Sequence, residues 1–174
     1  AVTVTTFHSL GLKFLQDEYR QVGLRRGFSI FDTDDQQGII KDLLAPNADK
    51  DALNAAQNWI SKVKNLALSP EQAHEQAKTA REQGIADLYA RYQARLVTFN
   101  AVDFDDLIRL PLQVLESDQE ARMRWQVKIQ YLLVDECQDT NGAQYRMIKA
   151  LAGSHGRFTC VGDDDQSIYA WRGA

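Results

Sequence analysis

Two polar segments directly follow apolar runs, and their residue types could carry out phosphate chemistry. The apolar run 131–134 ends in Asp135 and Glu136, and the run 158–161 ends in Gly-Asp-Asp-Asp-Gln at 162–166. An Asp at such a position can hold Mg²⁺, while an adjacent Glu can polarise the water that attacks a γ-phosphate. Alternatively, both carboxylates solvate a strand end or cap the next helix. The pattern alone leaves both interpretations open.

The elements that must position these residues are predicted to form a βαβ unit. Both runs are apolar throughout, and residues 141–152 between them carry a helical stripe. Strand, helix and strand in this order are typical of a parallel sheet that is buried on both faces. Ligands bind beyond the carboxyl ends of such strands, so we expect the chemistry at 135–140 and 162–166.

The preceding part of the chain is predicted to be one strand followed by helices. Residues 1–6 are rich in β-branched side chains, whereas residues 9–100 show helical periodicity and are predicted to form an all-helical subdomain. At 103–108 another helix is predicted to start, with three acidic residues in its first turn. Four local signals mark helix starts: Asp32 and Ser69 as N-caps, Pro70 at the first helical position, and Gln72, which closes a capping box with Ser69. Gly84 is predicted to break or bend its helix, and Pro111 to kink or end another.

Length and composition fit a globular protein. The chain has 174 residues, 44% hydrophobic and 25% charged, enough for one ordinary domain or two small subdomains. No apolar run approaches the roughly 20 residues of a membrane-spanning helix, and no signal segment opens the chain, so a cytoplasmic location is the expectation. Cys137 and Cys160 stand in apolar surroundings without a Cys/His cluster, so we expect two buried thiols.

Charge is unevenly distributed along the chain. The formal net charge is −4, acidic residues concentrate in 31–60, and basic residues concentrate in 61–100. The basic residues are interpreted as a solvated helical face. Any contact with nucleic acid must therefore be local, because the net charge does not favour it.

The polar segments together carry a family resemblance. Asp-Glu-Cys-Gln-Asp-Thr at 135–140, followed by Gly-Asp-Asp-Asp-Gln-Ser-Ile-Tyr-Ala-Trp-Arg-Gly-Ala at 162–174, resembles motifs II and III of the UvrD/Rep superfamily 1 DNA helicases. Thr-Phe-His-Ser-Leu-Gly at 6–11 resembles motif Ib, and Asp-Phe-Asp-Asp-Leu at 103–107 resembles the acidic helix start of that family. The order of these segments matches as well, and the Rep branch is the most similar.

The resemblance implies an α/β fold. Residues 1–8 and 101–174 would belong to a partial RecA-like parallel sheet, subdomain 1A. Residues 9–100 would form the inserted all-helical subdomain 1B.

The resemblance also implies roles for single residues. Asp135 would bind Mg²⁺, Glu136 would be the catalytic base, and Gln166 would sense the γ-phosphate of ATP. The residues that would contact single-stranded DNA are Tyr169 and Trp171 by stacking, Arg172 as a cation, and Thr6 and His8 at the DNA backbone. Taken without the resemblance, Tyr169 and Trp171 are also compatible with packing aromatics, and His8 with a structural histidine.

Two features depart from the family pattern. Cys137 stands where the family usually has an aromatic residue, and no Gly-x-x-x-x-Gly-Lys-Ser/Thr loop occurs. Without that loop the phosphates have no cradle, and both ends of the chain look cut. We therefore expect an internal fragment, inactive by itself, of an ATP-dependent 3′ to 5′ DNA helicase. Its partners would be single-stranded DNA, single/double-strand junctions, and replication or repair proteins.

Two other classes of protein remain open. The chain could belong to the helicase-like subunit of a helicase–nuclease complex. It could also be a stand-alone nucleic-acid-binding module without ATPase activity.

Overall fold

The computed structural model describes residues 2–129, 131–135, 142–152, 157–161 and 168–172. Contacts divide the chain into two compact units. Unit 1 comprises Ala1–Val22 and Leu107–Ala174, and unit 2 comprises Gly23–Asp106.

Unit 1 contains a four-stranded sheet. Its strands are β1 (Val2–Thr5), β4 (Tyr131–Asp135), β5 (Arg157–Val161) and β6 (Ile168–Arg172), in the order β1-β4-β5-β6. The first three run parallel, and β6 is antiparallel to β5. The crossover from β4 to β5 passes through helix α8 (Gly142–Ala152), which confirms the predicted βαβ unit.

The described part of unit 1 also contains four helices. They are α1 (Phe7–Glu18), which continues into a 3-10 helix (Tyr19–Val22), α6 (Asp106–Ser117, whose first residue belongs to unit 2), α7 (Gln119–Lys128) and α8. Phe14 and Trp125 are buried, and their ring centroids lie 4.8 Å apart. Removing such side chains from water supplies most of the stability of a core of this kind.

Helices α1 and α6 approach each other closely at Gly11. A Cβ atom on Gly11 would lie 1.6 Å from the backbone oxygen of Leu107, so only glycine fits there. Leu107 stands four residues before Pro111, which has no N–H to donate to that oxygen. Pro111 was predicted to kink the helix or to end it. It does not end the helix, because α6 continues to Ser117.

Unit 2 combines helices with a small parallel sheet. Its helices are α2 (Thr33–Leu43), α3 (Lys50–Asn65), α4 (Pro70–Gln76) and α5 (Ala80–Thr98). Strand β2 (Ser29–Phe31) pairs with β3 (Ala101–Asp103). The hydrophobic core includes Ile40, Ile60, Tyr89, Tyr92 and Leu96.

The prediction of an all-helical segment over 9–100 is therefore wrong at β2. This strand has only three residues, and two of them are exposed. A segment so short shows no alternation of apolar and polar residues, which is the signal by which strands are recognised.

Most predicted helix starts are confirmed. Asp32 and Ser69 are N-caps, and each takes part in a capping box. Gly84 does not break a helix, because it lies inside α5, which begins after its own N-cap, Thr79. The predicted helix at 103–108 begins only at Asp106, since Asp103 ends β3.

The boundaries between the two units fall after residues 22 and 106 of the sequence. The predicted subdomain boundaries fall after residues 8 and 100. The assignment of these parts to subdomains 1A and 1B stays a prediction. Within the described residues, no helix combines the length and the apolar character needed to cross a membrane.

Candidate functional site

Asp135 is the last residue of β4, at the carboxyl edge of three parallel strands. On one side Val134 pairs with Thr5 of β1, and on the other side Asp135 pairs with Val161 of β5. This is the edge at which open parallel sheets bind their ligands. The backbone position of Asp135 therefore suits a carboxylate that serves a phosphate ligand.

Strand β6 begins at the same edge of the sheet. Ile168, the first residue of β6, pairs with Val161, which in turn pairs with Asp135. Segment 162–167 is thus flanked by two residues of this edge. Glu136, Gln166 and Cys137 lie outside the described residues.

Thr6 and His8 lie where β1 passes into α1. Thr6 is the N-cap of α1, and its side-chain oxygen accepts a hydrogen bond of 3.1 Å from the backbone N–H of Ser9. A hydroxyl that accepts one hydrogen bond can still donate another, so capping is compatible with a ligand contact. His8 is half-buried, and burial lowers its pKa below 6.5, so its imidazole is neutral at neutral pH.

The three other predicted DNA-binding residues lie along β6. Tyr169 pairs with Cys160, Trp171 with Phe158, and Arg172 with Arg157. Tyr169 is thus one residue from the edge at Asp135, whereas Trp171 and Arg172 lie towards the amino end of β5. With a rise of about 3.3 Å per residue, that end is roughly 13 Å from the row of Asp135.

A buried polar cluster in unit 2 was missed by the sequence analysis. Lys64 is 1% exposed, and its ammonium nitrogen lies 2.6 Å from Asp103 and 3.0 Å from Asp106. The hydroxyl of Tyr92 donates to Asp103 over 2.9 Å. The interpretation of the basic residues 61–100 as a solvated face is therefore wrong for Lys64. One signal in the sequence could have indicated this burial: Lys64 follows Ile60 by four residues, so both side chains lie on the same face of α3.

The cluster has an excess of negative charge. Two carboxylates face one ammonium group, and the neighbouring Asp105 adds a third carboxylate. Burial is the main cause that raises the pKa of Asp103, and the charge of Asp106 is the second. Burial and the charge of Asp103 raise the pKa of Asp105 to about 6, although Ser61 donates a hydrogen bond to it. The pKa of Tyr92 is also raised, first by burial and then by Asp103.

Among the side chains that the structure describes, no three His, Cys, Asp or Glu residues form a group that could hold a metal ion. The side chain of Asp135 lies outside that set. Mg²⁺ in phosphate-transfer sites is usually held by one or two carboxylates together with the phosphates and water, so a single strand-end Asp fits the donor chemistry.

The comparisons with known proteins agree over the whole chain. The family model described as UvrD/REP helicase N-terminal domain matches residues 1–174. The chain is 48% identical over 173 residues to the ATP-dependent DNA helicase Rep of Escherichia coli (strain K12), covering 98% of this chain and 26% of that protein. It is 40% identical over 176 residues to the ATP-dependent DNA helicase PcrA of Staphylococcus epidermidis (strain ATCC 12228 / FDA PCI 1200), covering 99% and 24%.

The chain belongs to the UvrD/Rep helicase family, which confirms the resemblance inferred from its motifs. It spans about a quarter of the length of the curated relatives that it matches.

Proposed function

We propose that this chain is part of an ATP-dependent DNA helicase that moves 3′ to 5′ along single-stranded DNA. The observation that carries the proposal is the position of Asp135. This residue belongs to the motif II segment, and its backbone stands at the carboxyl edge between two parallel strand neighbours. Family membership supports the same reaction, since the relatives are named ATP-dependent DNA helicases.

The nucleotide would be handled by three residues. Asp135 would hold Mg²⁺, which when bound neutralises charge on the phosphates. Glu136 would orient the attacking water and accept its proton. Gln166, in the segment between Val161 and Ile168, would contact the γ-phosphate.

Single-stranded DNA would be bound along β6 and at the start of α1. Tyr169 and Trp171 would stack on bases, which is a sequence-tolerant contact because every base has an aromatic face. Arg172 would neutralise a phosphate. The hydroxyl of Thr6 and the N–H group of the neutral His8 would donate hydrogen bonds to the DNA backbone. Neither side chain would form an ion pair with a phosphate, because neither is charged at neutral pH.

Other parts of the nucleotide site would lie outside these 174 residues. The chain contains no Gly-Lys pair and hence no phosphate-binding loop of the Walker A type. The relatives are about four times longer, which leaves room for that loop and for a second RecA-like domain. We infer that the longer protein hydrolyses ATP and that the chain alone does not.

The substitution Glu136→Gln in the longer protein tests the proposed base. It should preserve ATP binding and lower turnover by orders of magnitude, because only the water-activating carboxylate is lost. ATP binding and DNA-stimulated phosphate release would be measured on the same preparation. The matched control is Glu120→Gln, which changes an exposed residue of α7 and should leave turnover unchanged.

Turnover of Glu136→Gln within a few-fold of the unsubstituted protein would place the base elsewhere. A longer protein that binds DNA and never hydrolyses ATP would instead indicate a nucleic-acid-binding module.

A further inference from the structure

A groove of about 320 Å³ lies between α3, α4 and α5, within unit 2. None of the residues proposed to handle nucleotide or single-stranded DNA lines it. Its volume is in the range of ligand sites, which begins at about 300 Å³. The groove therefore has room for a ligand that the proposed function does not use.

The inside of the groove is apolar. Val63, Ala86 and Tyr89 line it and are buried, so they form its base. On the side of α4 the lining includes two short side chains, Ala73 and Ala77, which leave the groove unfilled. An aliphatic group placed there would be removed from water without needing a hydrogen-bond partner, which makes its burial favourable.

Contacts between the surrounding segments fix the walls of the groove. The hydroxyl of Tyr89 in α5 donates a hydrogen bond of 2.7 Å to the backbone oxygen of Leu68, which lies between α3 and α4. His74 of α4 also lies 2.9 Å from Asp87 of α5. The walls are thus in position before a ligand arrives, and this lowers the entropy cost of binding.

Lys62 supplies a cation at the rim of the groove. It is exposed, and its Nζ atom lies 5.1 Å from the centroid of the Trp59 ring, which also lines the groove. Among the residues that the structure describes, no carboxylate forms an ion pair with Lys62. Its ammonium group can therefore accept an anionic partner.

Glu82 is the other charged residue of the lining. Its carboxylate accepts hydrogen bonds from the backbone N–H groups of Thr79 and Lys78, over 3.1 and 3.4 Å. It also lies in the first turn of α5, where the positive end of the helix dipole favours a carboxylate. Its charge is thus partly offset, whereas the charge of Lys62 has no partner of opposite sign in the lining.

A large apolar side chain is exposed at the same rim. Leu66 lines the groove at the end of α3 and is 56% exposed. Single exposed leucines are ordinary, but one beside an apolar groove enlarges the surface that a partner can cover. Small-molecule sites bury about 70–90% of their ligand. A groove with so exposed a rim suits a side chain presented from a protein surface better than a free small molecule.

We propose that this groove binds a segment of a protein partner in which a leucine stands next to a glutamate. The leucine side chain would enter the groove over Val63 and Ala86, and the carboxylate of the glutamate would pair with Lys62. This partner chemistry matches the apolar base and the cation of the rim at the same time. The bound segment would also cover Leu66.

Single-stranded DNA suits the groove less well than such a segment does. A phosphate could meet Lys62, but a base that entered the groove would bring its polar edges against Val63, Ala73 and Ala86. These side chains offer no hydrogen bonds, and polar groups that are buried without partners oppose binding.

The test uses the isotopically labelled 174-residue chain and three blocked peptides, Gly-Leu-Glu-Gly, Gly-Ala-Glu-Gly and Gly-Leu-Gln-Gly. The first peptide should shift the NMR signals of the Trp59 indole N–H and the Leu66 methyl groups in a saturable way. The alanine peptide should bind at least about tenfold more weakly, because it lacks most of the apolar side chain. The glutamine peptide should bind about two- to fivefold more weakly, because an exposed ion pair contributes modestly.

Two variants locate the contact. Lys62→Gln should lower the affinity for the glutamate peptide to that of the glutamine peptide and leave the glutamine peptide unaffected, as a double-mutant cycle requires of a direct pair. Leu66→Ala should weaken binding of both peptides several-fold. Both residues are exposed, so the fold should be preserved. The matched controls Lys41→Gln and Val97→Ala change exposed residues outside the groove and should have no effect.

Four results would overturn the proposal. They are no saturable shift with the first peptide, equal binding of the leucine and alanine peptides, an unchanged preference for glutamate in Lys62→Gln, and groove signals that respond to a single-stranded oligonucleotide and not to the first peptide. None of these measurements involves ATP hydrolysis, so the proposed function would be unaffected by them.

Discussion

Lys64 shows how one residue can hold a local structure together. Its ammonium group lies between two buried carboxylates, Asp103 at the end of β3 and Asp106 at the start of α6. Exchanging a buried ion pair for apolar residues is often harmless, whereas removing one partner leaves uncompensated charge. The cluster thus fixes the β3–α6 turn, which also carries Phe104 and Asp105.

Lys64→Met should therefore destabilise the chain by about 3–5 kcal/mol at neutral pH. The loss should be smaller at pH 5. A carboxyl group whose pKa is raised in the folded state binds more protons when folded, so its contribution to stability falls as pH rises. Asp103 is already such a group and becomes more so without Lys64. Denaturant unfolding at both pH values measures the effect.

The neighbouring Lys62 provides a matched control. Lys62 is exposed, and its Nζ atom lies 5.1 Å from the centroid of the Trp59 ring. Lys62→Met should therefore lower the free energy of unfolding by only about 0.5–1 kcal/mol. Equal costs for the two substitutions would mean that the buried cluster does not hold the turn.

Trp171 and Arg172 allow stacking and charge to be separated in the longer protein. Trp171→Ala should weaken binding to single-stranded DNA by about 1–3 kcal/mol and leave its salt dependence nearly unchanged, because stacking releases no counterions. Arg172→Gln should instead flatten the slope of log affinity against log salt by up to about one unit. Titration of a labelled oligonucleotide at several salt concentrations measures both quantities.

An exposed arginine of unit 2 supplies the control for charge. Arg26→Gln should leave the salt slope for short single strands unchanged. Unaltered affinity in Trp171→Ala would mean that this aromatic ring packs within the fold and does not contact DNA.

Among the elements, α1 and α6 depend on a close backbone contact. A Cβ on Gly11 would lie 1.6 Å from the backbone oxygen of Leu107 and 2.7 Å from its carbonyl carbon, so the helices would have to separate. Gly11→Ala should therefore cost about 1–3 kcal/mol or more, as overpacking does. The midpoint of thermal unfolding should fall.

Gly84→Ala is the opposite case within α5. Apart from the neighbouring backbone of α5 itself, no atom of the described residues lies within 4 Å of the added Cβ, and alanine favours a helix interior over glycine by up to about 1 kcal/mol. The two substitutions should shift the unfolding midpoint in opposite directions. A neutral Gly11→Ala would show that α1 and α6 can adjust without loss.

At the scale of the whole molecule, the 174-residue chain should show no measurable ATPase activity, with or without DNA. The phosphate-binding loop is absent from its sequence, and the carboxylates of motif II alone cannot grip a nucleotide. Phosphate release would be measured with Mg²⁺ and single-stranded DNA present. The longer protein serves as the positive control, and DNA-stimulated turnover by the short chain would contradict the proposed division of the site.

Several features could be predicted from the sequence because they depend on neighbouring residues. An N-cap depends only on residues within one helical turn, so both Asp32 and Ser69 could be recognised as helix starts. Apolar runs with a helix between them predicted the parallel pair β4 and β5. The motifs identified the family for the same reason, since each is a short contiguous segment.

Other features were decided only when distant segments met. The pairing of β2 with β3 joins Ser29 to Ala101. A strand of three residues is too short to be recognised from its sequence pattern. The burial of Lys64 depends on which helix face meets β3, and a lysine is normally expected in water. The groove beside Lys62 exists only because α3, α4 and α5 pack around it. Local patterns encode caps and strands, whereas burial and charge balance arise from the tertiary packing of segments far apart in the chain.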